Sequence, residues 1–143
     1  LANGILQYLG DFVGLTGITL EMMLGYVLSP VAWLLGVPWS ESATAGSLIG
    51  QKLILNEFVA YVAFSDVIDG LSPITQASVI FALCGFANLS SIAILLGGLG
   101  AIAPSRRDDI SRLGVKALIA ATLANLMSAA LAGFFLSLPG AAG

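Results

Sequence analysis

Long apolar runs without a single charge alternate along this chain with short charged islands. Residues 70–105 and 117–143 hold no charged residue, and each stretch exceeds the roughly 20 residues that a helix needs to cross a bilayer. Two spans are predicted there. A third uncharged run, 22–40, is about long enough but holds Pro30, Gly36 and Pro38. These interrupt a helix or bend its end, which suits an element lying along the membrane interface.

Between the runs, the polar residues predict where elements begin and break. Residues 1 to about 15 read as the end of a helix with Asp11 its only charge; Gly14 and Gly17 bracket a loop, and Thr19 is placed to cap the next helix. Ser40 or Ser42 is available to cap a further helix after Pro38. That helix runs through the small residues 42–47, which allow close packing inside membranes. The segment 42–64 is 23 residues long, yet Lys52, Asn56 and Glu57 fall near its middle. A charge at the centre of an inserted helix costs about 2.5–3.5 kcal/mol on insertion scales, and a plain span would bear that cost twice. A re-entrant hairpin, with a tip near Asn56 and Glu57 buried in protein or lining a watery cavity, avoids it. A full span is the competing reading.

Ser72 and Pro73 open the following helix, Pro sitting where its missing N–H does no harm. Near its centre the polar, glycine-containing patch 85–91 predicts a broken helix. Four of the five basic residues, Arg106, Arg107, Arg112 and Lys116, share one connection, which the positive-inside rule places in the cytoplasm. The acidic turn 66–69 and the C-terminus then face the opposite side, and the hairpin enters from outside. The last span, about 111–138, is rich in Ala, Gly and Ser, and Asn125 is its one strongly polar interior residue; an interhelical hydrogen bond is the simple expectation for it.

Composition agrees. The chain is 58% hydrophobic and 9% charged, against about 25% charged in ordinary soluble domains. A net charge of −3 without a basic stripe argues against nucleic-acid binding. With no His and a single cysteine, the usual zinc clusters cannot form, and Cys84, among apolar neighbours, reads as a buried, inert thiol. The chain begins with Leu1 rather than Met and with no basic, apolar leader, so it reads as part of something longer.

Within bilayer depth the chemistry concentrates at Glu57 on the expected tip and at Asn88, Ser90 and Ser91 in the expected break. Discontinuous helices meeting near the midplane are a recurrent way for transporters to present polar groups to a solute. A carboxylate accepts two hydroxyl bonds, an amide donates and accepts, and a hydroxyl does either. This set suits a sugar diol, and Phe86 adds an apolar face for a ring. The alternative is a structural ion pair between Glu57 and Lys52, with the Asn-Ser cluster merely joining helices. Without His or a second carboxylate set near Glu57, hydrolytic or redox machinery is not expected and the chain does not read as an enzyme.

The run Gly50-Gln51-Lys52-Leu53-Ile54-Leu55-Asn56-Glu57-Phe58-Val59-Ala60-Tyr61 resembles the signature of the concentrative nucleoside transporters, and Cys84 to Ser91 and Asn125 to Ser128 resemble bacterial members of that family. The resemblance covers essentially the whole chain. It implies an all-α membrane protein, the second half of an inverted-repeat transporter. Residues 1–37 would end a scaffold helix and add an interfacial helix. Residues 38–143 would form the second repeat of the transport domain: a re-entrant hairpin at about 41–66, a broken transmembrane helix at about 73–103 and a final one at about 110–138. It further implies ion-coupled uptake of nucleosides such as uridine across the bacterial inner membrane by a homotrimer, with the Arg106-Arg107 loop cytoplasmic and the C-terminus periplasmic. Glu57, Asn88 and Ser91 would bind the ribose, Phe86 would lie beside it, and Asn56 and Lys52 would support the tip. No cofactor is implied. The base-reading hairpin and the site of the coupling ion, sodium or proton, would lie in an N-terminal half outside these residues. An accessory membrane subunit of the same fold, without transport, is the competing function.

Overall fold

The computed structural model describes residues 2–138 except 13, 15, 16 and 18. Among these the regular structure is wholly helical: α1 (Ala2–Phe12), α2 (Leu20–Leu34), α3 (Trp39–Ile54), α4 (Glu57–Val67), α5 (Pro73–Leu83), α6 (Leu89–Ile102) and α7 (Arg107–Ser137), with two short 3-10 turns at Ile68–Gly70 and Pro104–Arg106. Leu1 and Leu15, expected at the ends of the first helix, lie outside the described residues.

Side chains that catch free amides explain most of the helix starts. Thr19 Oγ1 accepts from the Met22 N–H (3.2 Å), Asn56 Oδ1 from Val59 (2.9 Å), Ser72 Oγ from Thr75 (3.4 Å) and Asn88 Oδ1 from Ser91 (2.9 Å). Each such cap contributes about 1 kcal/mol. Helix α3 departs from expectation: Pro38 precedes it, no side chain caps it, and the Ser42 hydroxyl donates back to the Trp39 carbonyl at 2.8 Å. Glu41 serves a distant element instead, its carboxylate accepting from the N–H (3.1 Å) and hydroxyl (2.9 Å) of Ser72 at the start of α5. Nor does Pro30 end α2. Proline keeps a helical φ, though it loses one internal bond and crowds the carbonyl one turn back; the helix nevertheless runs on to Leu34, stopping where Gly36 adopts φ +92°.

Helices α2 and α3 meet at a bend of 115° and pack backbone to backbone. A Cβ on Gly46 would stand 2.8 Å from the Gly25 carbonyl oxygen and 2.9 Å from the Ser29 nitrogen, and one on Gly25 2.7 Å from the Ala43 carbonyl oxygen. The buried core runs from there through Leu48 and Ile49 of α3, Phe64 of α4 and Val79 and Leu83 of α5 to Ala129 of α7.

Among the described residues, 104–137 form the one helical stretch long and apolar enough to cross a membrane alone, and only 11% of its most apolar window is buried. Helix α7 thus starts four residues earlier than the expected 111. Helices α5 and α6, of 11 and 14 residues, are each too short to cross. Ile94, Ile102 and Met127 are 72%, 82% and 63% exposed. Exposed apolar surface on this scale marks faces that meet lipid or other protein.

Candidate functional site

The turn between α3 and α4 and the break between α5 and α6 come together. Both end in an asparagine cap, so the N-termini of α4 and α6 open towards the same space, a cavity of about 560 Å³ lined by Asn56, Glu57, Phe86, Asn88, Ser90 and Ser91 with apolar neighbours. Helix N-termini carry positive partial charge. Glu57, in the first turn of α4, is the anion placed to meet it.

Asn88 is the junction. Its Nδ2 donates to Glu57 Oε2 and to the Phe86 carbonyl, both at 3.3 Å, while its Oδ1 accepts from the Ser91 N–H (2.9 Å) and the Ser91 hydroxyl (3.1 Å). The Ser91 hydroxyl is also 2.5 Å from the Phe86 carbonyl oxygen. Ser90 ties the break to the turn directly, its hydroxyl donating to the Leu55 carbonyl at 3.4 Å. The Phe86 ring is 76% exposed, and Asn88 is buried at 5%. The arrangement thus offers a carboxylate with acceptor capacity to spare, an amide beside it whose two N–H groups are engaged by Glu57 and the Phe86 carbonyl, and an uncovered aromatic face. Glu57, Asn88, Ser91 and Phe86 therefore line one cavity, with Asn56 at its edge.

Lys52 stands apart. It is 1% exposed and, among the described residues, forms no ion pair with Glu57 or any other carboxylate within 4 Å. The structural ion pair considered from the sequence is not formed. Helix polarity supplies the physical account: Lys52 lies in the last turn of α3, where the carbonyl end favours a cation, and Glu57 in the first turn of α4, where the amide end favours an anion.

Cys84 departs from expectation too. It is exposed, and its sulfur lies 3.4 Å from the Tyr61 hydroxyl, which donates to the Ile80 carbonyl at 2.9 Å. Opening the helix after Leu83 turns residue 84 out of the apolar packing. Asn125 makes no interhelical hydrogen bond through its amide nitrogen, which is buried without a partner, a situation that costs about 1–3 kcal/mol. The sequence marks Asn125 as unusual but gives no sign of its neighbour, Gly85, whose backbone it covers.

Residues 1–133 match the family model described as the C-terminus of the Na+ dependent nucleoside transporters. The chain belongs to that family. An uncharacterized transporter of Bacillus subtilis is 61% identical over 136 residues, covering 95% of this chain and 34% of that protein. A putative nucleoside permease of Escherichia coli is 52% identical over 132 residues, covering 90% and 32%. The solved structure of CNTnw in an inward-facing, substrate-bound state superposes with a TM-score of 0.91 at 53% identity, covering 96% of this chain and 34% of that one. This chain therefore spans about a third of the length of the transporters it matches, and the shared fold is that of their C-terminal portion.

Proposed function

We propose that this chain is the C-terminal part of an ion-coupled nucleoside symporter and forms the ribose-binding side of its nucleoside site. The observation that carries the reading is the Asn88–Glu57 hydrogen bond, which joins the two turns around the 560 Å³ cavity in a chain of this family. Two adjacent ribose hydroxyls donate to the Glu57 carboxylate, the Asn88 amide turns the N–H it gives the Phe86 carbonyl to one of them, and the ring of Phe86 covers the sugar's apolar face. Ser91 holds Asn88 and the Phe86 carbonyl in place and offers its oxygen to the solute.

In this reading α3 and α4 are the legs of a re-entrant hairpin, and with the broken α5–α6 helix and α7 they make the second of two inverted repeats. The basic connection at Arg106-Arg107 lies in the cytoplasm of a bacterial cell, the C-terminus lies in the periplasm, and the protein is a homotrimer in the inner membrane. The nucleobase and the coupling ion, sodium or proton, are held by the remainder of the protein. The family's description as sodium-dependent favours sodium.

The test is uridine counterflow in proteoliposomes containing the full-length transporter, under sodium and proton gradients separately. Asn88→Ala removes both the donor to the ribose and the α6 cap and is expected to lower uridine affinity roughly tenfold or more. Unchanged uptake by Asn88→Ala would sink the ribose assignment, and no uptake by the intact protein would favour an accessory role.

A further inference from the structure

A second cavity, of about 340 Å³, lies behind the helix break; Gly85, Phe86, Ser91, Gly114, Ala121 and Asn125 are among its walls. Phe86, Ser91 and Leu95 line this cavity and the solute cavity alike. The turn that presents Phe86 and Asn88 is therefore a thin partition with open space on both faces. On the solute side the Asn88–Glu57 and Ser90–Leu55 hydrogen bonds tie it to the α3–α4 turn, which leaves the rear face to be braced.

Asn125 stands on the rear face. Its carboxamide covers Gly85 so closely that a Cβ there would collide with its Cγ, Oδ1 and Nδ2. Glycine is what lets the planar amide reach the backbone of the break. The Asn125 Nδ2 is shut off from solvent and has no hydrogen-bond partner among the described residues. An apolar side chain on α7 would avoid burying an unmatched donor, so packing of α7 alone does not account for an asparagine there.

We propose that Asn125 is a positioning residue for the solute site: its carboxamide braces Gly85 from behind and so fixes the turn that carries Phe86 and Asn88. This inference rests on the ribose-side reading of that turn. Truncating Asn125 removes no solute-contacting group but lets the turn that carries Phe86 and Asn88 settle backwards into the rear cavity. A methyl added at Gly85 pushes the turn the other way, off the carboxamide. The two perturbations act on one contact and are therefore coupled.

The experiment is calorimetric uridine binding by the purified full-length transporter carrying Asn125→Ala, Gly85→Ala or both. Asn125→Ala is expected to weaken uridine binding about tenfold and to narrow the preference for uridine over 3′-deoxyuridine, with melting and size-exclusion behaviour like wild type. The double variant is expected to lose less than the product of the single losses, because the new methyl fills the vacated space. Losses that simply multiply, or uridine binding by Asn125→Ala within about twofold of wild type, overturn the proposal. If Asn125→Ala does not fold, Asn125→Ser, alone and with Gly85→Ala, carries the same comparison. Asn88→Ala separates the two levels: binding that survives it removes the ribose reading itself. Binding that it abolishes, beside unaffected Asn125 and Gly85 variants, removes only the brace.

Discussion

Glu57→Gln isolates the charge at the α3–α4 turn while keeping the side chain's shape. In the structure one carboxylate oxygen receives the Asn88 amide at 3.3 Å, and the group sits in the first turn of α4. The substituted amide can keep the Asn88 contact only by turning its single oxygen towards it, and then its NH2 faces the solute. A diol that donated two hydroxyl bonds to a carboxylate now meets a donor. Hydrogen bonds to charged groups contribute about 1.5–3 kcal/mol against 0.5–1.5 for neutral ones. Losing the charge assistance of one such bond and the whole of another amounts to roughly 2–4 kcal/mol, or about 30- to 1000-fold in Kd. The assay is uridine, 2′-deoxyuridine and 3′-deoxyuridine binding by wild type and variant in detergent. Wild type should rank uridine first, and the variant should bind all three weakly and nearly alike. A Glu57→Gln protein that binds uridine within about threefold of wild type, or keeps the same ranking, refutes the assignment of the diol to Glu57.

Two further outcomes follow from the packing. Gly46→Ala drives a methyl into the Gly25 carbonyl and the backbone of Leu28 and Ser29; as none of these can rotate away, about 1–3 kcal/mol of destabilisation is expected, read as a lowered melting temperature of the full-length protein. An unshifted melting temperature would mean that α2 yields freely. In a Cys84→Ser background, needed because Cys84 is exposed, single cysteines at Ser40 and Asp66, both exposed, should label from the same side of the membrane. Labelling from opposite sides would make α3 and α4 one crossing.

The parts of this fold legible in the sequence are those decided locally. Thr19 caps α2 and Ser72 opens α5 where the sequence marks them, because each side chain reaches an amide three residues on, and the break at 84–88 falls where Gly85 and Asn88 interrupt an apolar run; that Asn56 and Asn88 also act as caps is seen only in the structure. The illegible parts are decided across the fold. Ser40 and Ser42 had the chemistry to cap α3, but neither does; Glu41 beside them instead holds Ser72, the cap of α5, 31 residues away. Lys52 and Glu57 suggested an ion pair by proximity in sequence, whereas the break between α3 and α4 gives each charge its own helix end. Asn125 is expected from the sequence to make an interhelical hydrogen bond, and its amide nitrogen has none among the described residues. Its neighbour is a glycine backbone, which carries no polar side chain for a pattern to reveal.

The length of α7 has a consequence for how the protein is made. Insertion machinery recognises segments by length and apolarity, and among the described residues only 104–137 satisfy both within one helix. The elements that build the cavity, α3 to α6, are short or carry charge, and they leave the ribosome before α7 does. Within this stretch of chain they gain a long apolar neighbour only when α7 is synthesised. Helices α5 and α6, which carry the break, pack on α7, so a ribosome that stalls inside α7 leaves them without the surface they rest on.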